Sequence, residues 1–284
     1  MILQEDYTLY NGTPIPKLAI GTWQMTPEEA EFAVETAIHT GYRHIDTAAA
    51  YENEEGVGRG IQKSGARRED LYITTKIPAH MKTYAEAVDS IQASLQKLQT
   101  DYLDCILIHA PKPWAEMFKP NMPNYFEENL NVWQAMEEAL ARGEVRAIGV
   151  SNFDLDDIDN ILSHGRTRPA VNQIKVHVGH TKLDLIQGCK DRQILVTAYS
   201  PMGTGRLLHH PTLIKMAEKY NVTVPQLCIR YDLELGLLPL PKSTHAEYIQ
   251  SNAQVDFSIS KEDMDTLLHT SAKFEEEYPS DRDQ

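Results

Sequence analysis

The chain has 284 residues, 42% hydrophobic and 24% charged, which is the balance of an ordinary globular protein. A net charge of −14 leaves no basic face, so it argues against nucleic-acid binding and against docking on an anionic membrane. No apolar run approaches transmembrane length, the N-terminus has no basic n-region followed by an h-region, and three cysteines with no close pairing (Cys105, Cys189, Cys228) suit a reducing compartment; the expectation is a cytoplasmic protein in one domain, residues 1–284.

In chain order, Tyr7 to Pro16 reads as a β-hairpin with an Asn11-Gly12 type I′ turn. A first strand follows over 17–20. Thr26-Pro27-Glu28-Glu29 opens a helix with a capping box, and Thr83-Tyr84-Ala85-Glu86 opens another, whose buried face is predicted to carry Ala85, Val88, Ile91, Leu95 and Leu98. Between and beyond them, short hydrophobic runs alternate with helical patterns. The segment from Ala110 to about Pro123 reads as an irregular loop, with Trp114 and Phe118 as pocket wall. A helix from Phe126 to Arg142 ends at Gly143, and two helical segments (211–220 and 223–235) precede the last strand. A final helix over 261–271 leads to a solvated acidic tail at Glu275-Glu276-Glu277. Strands alternating with helices imply a parallel sheet, and eight units close into a (βα)8 TIM barrel with an N-terminal β-hairpin and two extra helices.

The hydrophobic runs share one property: each ends in a polar group. His44-Ile45 leads to Asp46 with Tyr51 five residues on, Ile73-Thr74-Thr75 to Lys76, Ile106-Leu107-Ile108 to His109, Gly149-Val150 to Ser151-Asn152, Val171-Asn172 to Gln173, Val196-Thr197-Ala198 to Tyr199, and Leu240-Pro241 to Lys242. Strand ends are where a barrel keeps its chemistry. Four of these groups form a proton-delivery set. A cation lowers the pKa of an adjacent phenol, so Lys76 can tune Tyr51; a buried lysine needs a counter-ion, which Asp46 supplies; His109 can hydrogen-bond and orient a substrate oxygen. The set has no nucleophile–base pair and no metal cage, so a hydride must come from a cofactor. Ser151, Asn152 and Gln173 suit a carboxamide, Tyr199 a stacked nicotinamide ring, Ser200-Pro201-Met202-Gly203-Thr204-Gly205 a flexible loop around a pyrophosphate, and Lys242-Ser243-Thr244 a phosphate. Gly56-Val57-Gly58-Arg59-Gly60 mimics a dinucleotide fingerprint, but its spacing is wrong and it follows helix-opening glutamates. His177, His180, His209 and His210 lack the companions of a metal site.

The residues 41–48 with Tyr51, then 53–58, Ile73 to Lys76, Gly149 to Phe153, Val171 to Gln173, Tyr199 to Gly203 and Pro241 to Ser243 resemble the aldo-keto reductases across nearly the whole chain, most closely the bacterial and fungal branch acting on small ketones, diketo-sugar acids and α-dicarbonyls. The resemblance implies NAD(P)H-dependent reduction of a small-molecule carbonyl, with NADPH the first choice of cofactor, Tyr51 as general acid and Asp46, Lys76 and His109 beside it. It implies cofactor contacts from Gly21, Thr22, Asp46, Ser151, Asn152, Gln173, Tyr199 to Gly203, Lys242, Ser243, Thr244, Tyr248 and Asn252, and a substrate pocket of Trp23, Ala50, Tyr51, His109, Ala110 and Trp114. Tyr248 stands where the family often has arginine and Ser251 where a glutamate is usual, so NADH is an alternative cofactor. Ala110 replaces a usual tryptophan after the histidine, which opens the pocket unless Trp114 or Phe118 refills it. A cofactor-binding regulatory subunit with the same barrel is the competing reading; a phosphate-ligand isomerase lacks its glutamate base. A monomer or loose dimer fits either.

Overall fold

The computed structural model describes residues 1–117, 119, 120 and 122–271; Phe118 and the acidic 275–277 stretch lie outside the described residues. A two-stranded antiparallel hairpin, β1 (Asp6–Thr8) and β2 (Pro14–Pro16), comes first. Its connection differs from the expected type I′ turn. That turn needs positive φ at both central residues, whereas here Gly12 has φ 82° and Asn11 does not; the Gly12 amide closes a Leu9–Gly12 turn on the Leu9 carbonyl at 2.9 Å. Eight parallel strands follow: β3 (Ala19–Gly21), β4 (His44–Asp46), β5 (Tyr72–Ile77), β6 (Cys105–Ile108), β7 (Ile148–Ser151), β8 (Val171–Lys175), β9 (Leu195–Tyr199) and β10 (Leu238–Leu240), paired in chain order. The Gly21 amide donates to the Pro241 carbonyl at 2.9 Å and joins the first strand to the last. The molecule is a TIM barrel.

Helices α1 (Pro27–Thr40), α2 (Glu54–Ser64), α3 (Tyr84–Leu98), α4 (Trp114–Met117), α5 (Phe126–Arg142), α6 (Leu155–His164), α7 (Leu183–Asp191), α8 (Pro211–Lys219), α9 (Val224–Glu234), α10 (Ala246–Asn252) and α11 (Lys261–His269) pack outside. α8 and α11 are the two extra helices, packed on α9 through Leu213, Leu227 and Leu267. Both predicted capping boxes are present. Two readings needed correction. The 110–123 segment contains the one-turn helix α4, seeded by Pro113, whose carbonyl accepts from the Met117 amide. The buried face of α3 is Ala87, Ser90, Ile91, Ser94, Leu95 and Leu98; Ala85 is exposed, because at 3.6 residues per turn it lies nearly opposite Ala87 and Ser94 on the helix.

Strand periodicity sorts the side chains. Ile45, Ile73, Ile106, Ile108, Ile148, Val150 and Ile174 face the helices, while Ala19, Tyr72, Cys105, Leu107, Ala147, Val171 and Leu240 fill the barrel and meet Leu9 and Ile15 of the hairpin. The hairpin therefore plugs the N-terminal end. The chemistry is left to the other end, where the inward positions turn polar. The glycines of the false fingerprint serve packing: a Cβ on Gly56 would stand 2.0 Å from the Pro27 carbonyl oxygen, and one on Gly60 2.6 Å from that of Glu31.

Candidate active site

Period-two alternation carries each charged side chain inward at the C-terminal mouth. In β5, Tyr72, Thr74 and Lys76 share the inner face; Asp46 is two residues beyond His44 in β4, and His109 two beyond Leu107. Lys76 is fully buried, and its Nζ donates to Asp46 Oδ1 at 2.5 Å, to the Thr47 carbonyl at 2.8 Å and to the Tyr51 hydroxyl at 3.4 Å. The other Asp46 oxygen accepts from Gln173 Nε2 at 2.7 Å. Asp46 is thus fully committed to holding Lys76 and Gln173 in place, a link that spacing alone did not reveal. Burial pulls the Lys76 ammonium down, but the Asp46 carboxylate and the Tyr51 hydroxyl reverse this, and its pKa ends raised. For Tyr51 burial raises the pKa and Lys76 opposes; the net shift is upward, so Lys76 acts in the expected direction without dominating. The phenol therefore stays protonated at neutral pH.

His109 is buried, and burial with the nearby Lys76 cation takes its pKa down to about 3, which keeps the imidazole neutral. Its Nδ1 has no hydrogen-bond partner among the described residues. The ring is edge-on to Tyr51 (5.6 Å between centroids) and to Trp114 (5.4 Å). Trp114, from α4, thus stands beside the histidine, with its side chain still partly open to solvent. Ala110 itself is fully buried with its carbonyl turned to Lys82, so it is no surface of an open pocket. Trp23 and Ala50 are exposed at the mouth. Behind them Asn53, unremarked as a site element, ties the β3 and β4 loops together: Nδ2 donates to the Thr22 and Met25 carbonyls at 2.8 and 3.0 Å, and Oδ1 accepts from Thr47. Thr22 Oγ1 is bonded to Thr47 at 2.9 Å.

Across the mouth, Ser151 Oγ donates to the Gln173 carbonyl (2.9 Å), and Asn152 Nδ2 to Ser151 Oγ (3.0 Å) and the His109 carbonyl (3.1 Å). Tyr199 donates its hydroxyl to Asn152 Oδ1 at 2.9 Å, which fixes the plane of a half-buried ring. Asn152 (φ 60°) and Ser200 (φ 55°) are held in the left-handed region, rare for such residues and common where backbone is shaped for function. The segment expected to be a flexible loop, 200–205, is a turn that runs into a 3₁₀ stretch, Gly203–His209, itself broken at Thr204 and Gly205, with the Gly203 amide on the Ser200 carbonyl at 2.8 Å; Pro201 is buried and Met202 packs near Val178. Lys242, Ser243 and Thr244 are half-buried beyond β10, Asn252 is buried in α10, and Tyr248 is exposed with its ring 5.4 Å from that of His245. Lys82 and Asn129, which hold backbone next to His109, were missed: a lysine in a polar loop gives no periodic signal.

The Aldo/keto reductase family model matches residues 17–270. The chain is 39% identical to the glyoxal reductase of Bacillus subtilis (strain 168) over 267 residues, 93% of this chain and 92% of that one. The crystal structure of the aldo/keto reductase from Brucella melitensis superposes with TM-score 0.85 at 36% identity (93% and 98% of the two chains), and that of the Bombyx mori aldo-keto reductase in complex with NADP with TM-score 0.84 at 36% identity (95% and 92%). Barrel, strand-end chemistry and relatives agree, and the chain belongs to the aldo/keto reductase family.

Proposed function

We propose that this protein is an NADPH-dependent reductase of small aldehydes and α-dicarbonyls. The observation that carries the reading is the Tyr51 hydroxyl beside a fully buried Lys76, itself locked to Asp46, with neutral His109 across the same space. The residues present fit the cofactor. Tyr199 offers a ring whose plane is fixed by Asn152; Ser151, Asn152 and Gln173 surround it with amide and hydroxyl groups; Lys242 with Ser243 and Thr244 suits a phosphate. When bound, the reduced nicotinamide supplies a hydride to the carbonyl carbon.

The chain's own residues do the rest. Tyr51 gives its proton to the carbonyl oxygen, and Lys76 stabilises the phenolate that remains. Asp46 keeps Lys76 charged and aimed. His109, uncharged, offers an N–H to the same oxygen without competing as an acid. Trp114 on His109 narrows the entrance, which favours small carbonyls, and the similarity to a glyoxal reductase supports that class. The exposed Tyr248 contributes no cation toward a 2′-phosphate, so the preference for NADPH rests on Lys242.

Cofactor oxidation with NADPH and with NADH, against glyoxal, methylglyoxal and simple aldehydes, tests this. Turnover with NADPH that drops about 10²- to 10⁴-fold in Tyr51→Phe is the expected result. Tight cofactor binding without turnover on any carbonyl would point instead to a regulatory, non-catalytic role.

A further inference from the structure

Three consecutive carbonyls leave the end of β6, and each is held by a side chain from a different element. The His109 carbonyl accepts from Asn152 Nδ2 at 3.1 Å, the Ala110 carbonyl from Lys82 Nζ at 2.9 Å, and the Pro111 carbonyl from Asn129 Nδ2 at 3.0 Å. Lys82 Nζ also donates to Asn129 Oδ1 at 2.8 Å, so Lys82 and Asn129 form one unit. Both are buried, Asn129 in the first turn of α5 and Lys82 just ahead of α3. This segment has little means of fixing itself. Pro111 and Pro113 carry no N–H, and α4 is a single turn. Its buried carbonyls would be costly without donors.

What the unit holds is chemistry-bearing. His109 is one residue before the first carbonyl that the Lys82–Asn129 unit holds, and Trp114, three residues after the last, lies edge-on to the His109 ring. A lysine is an unusual choice for this place. Burial costs the charged form, and the described contacts pair Lys82 with no carboxylate; Asp157 and Glu128 act on it only at longer range. A side chain needed only to fill space would be apolar there.

We propose that Lys82 and Asn129 are positioning residues for the carbonyl site: a buried clamp that sets His109 and seats Trp114 against it, and so governs capture of the substrate carbonyl without governing cofactor binding. An amine and an amide suffice as donors in either protonation state of Lys82, because two N–H groups remain on the neutral amine for its two acceptors.

The inference rests on the reductase reading above, and the measurements separate the two. Lys82→Met and Asn129→Ala are compared with the unaltered protein in three ways: NADPH affinity by calorimetry, kcat and KM with phenylglyoxal, and acrylamide quenching of Trp114 in a Trp23→Phe background, where buried Trp133 is the other tryptophan. The expected result is a loss in kcat/KM of about ten- to a hundredfold, because small misplacements of an orienting group are costly, with NADPH affinity within about twofold. Trp114 becomes more quenchable, and adding Trp114→Ala to Lys82→Met costs less than the product of the two single losses, the mark of one coupled unit. If Lys82→Met does not fold, Asn129→Ala, which keeps the lysine, carries the same expectation. Unchanged kcat/KM, multiplicative losses with Trp114→Ala, or an equal loss of NADPH affinity would each overturn the clamp. An unaltered protein that binds NADPH but reduces no carbonyl would overturn the parent reading, and Trp114 quenching in the variants would still decide whether the clamp exists.

Discussion

Asp46 shows how one residue supports both the chemistry and the fold. Its two oxygens bind Lys76 and Gln173, so its removal leaves a fully buried ammonium without a counter-charge. Breaking such a pair from one side costs about 3–5 kcal/mol. Asp46→Asn, nearly isosteric, is therefore expected to lower the unfolding free energy obtained from urea titration by that much and to cut turnover; replacing Lys76 and Asp46 together with Met and Leu should restore stability but not turnover. An Asp46→Asn protein as stable as the parent would show that Lys76 does not depend on it. Three groups of this site were legible because strand alternation and position at a strand end are visible in a sequence: Asp46, Lys76 and His109 share one face by arithmetic, while Tyr51 stands in the short turn after β4. Lys82, Asn129 and Asn53 were not legible as site supports, since their partners are backbone carbonyls far away in sequence, and backbone carbonyls leave no trace in composition or spacing.

At the scale of elements, the packing of α2 depends on absent side chains. Gly56 and Gly60 are one helical turn apart and touch the α1 backbone, while Gly58 meets the end of α3, where a Cβ would lie 2.9 Å from the Leu98 carbonyl oxygen. In an isolated helix each Gly→Ala change would gain about 1 kcal/mol. Here the helices must separate to admit the methyl group, and overpacking of this kind costs about 1–3 kcal/mol. Gly56→Ala is expected to lower Tm measurably; a rise in Tm would mean that α1 and α2 part freely. Because α2 begins three residues after Tyr51, the same change should also reduce turnover. The elements themselves were largely readable. Capping boxes at Thr26 and Thr83 and the glycine after Arg142 fixed helix ends through local hydrogen bonding. The hairpin turn and the exposed Ala85 were misread for different reasons: the turn depends on φ at a single residue, whereas Ala85 is off the face that Ala87, Ser90, Ile91 and Ser94 set, a face on which hydrophobic spacing does not count the serines. α4 was hidden by its length, since one turn of helix has no period.

The whole molecule was readable because even βα spacing leaves few alternatives to a closed barrel, and the hairpin's position as a plug follows from closure. Its stability against pH is a balance of buried groups. Burial takes His44 and His109 down to about 3, so the unfolded chain binds more protons than the folded one below about pH 6.5, and these two favour the fold less as pH falls through that window. Asp232 acts in the opposite sense. It is fully buried in α9, both oxygens lack partners, and burial holds its pKa well above the carboxylate range. Its contribution is intact below about pH 4 and is lost as pH rises, by about 1.4 kcal/mol per unit. Asp232→Asn should therefore stabilise the protein at pH 7 and give no advantage near pH 4; equal effects at both would mean that Asp232 is not held protonated. Because the N-terminal end of the barrel is closed by the hairpin, such changes there are expected to leave carbonyl reduction untouched.

The central claim is that Tyr51, tuned by Lys76, protonates a carbonyl oxygen at the open end of the barrel. The most direct measurement is NADPH oxidation in the presence of glyoxal by the unaltered protein and by Tyr51→Phe, with NADPH affinity measured for both. The account predicts turnover that falls by about 10²-fold or more in the variant while NADPH binding stays the same. Equal turnover in the two proteins would contradict it.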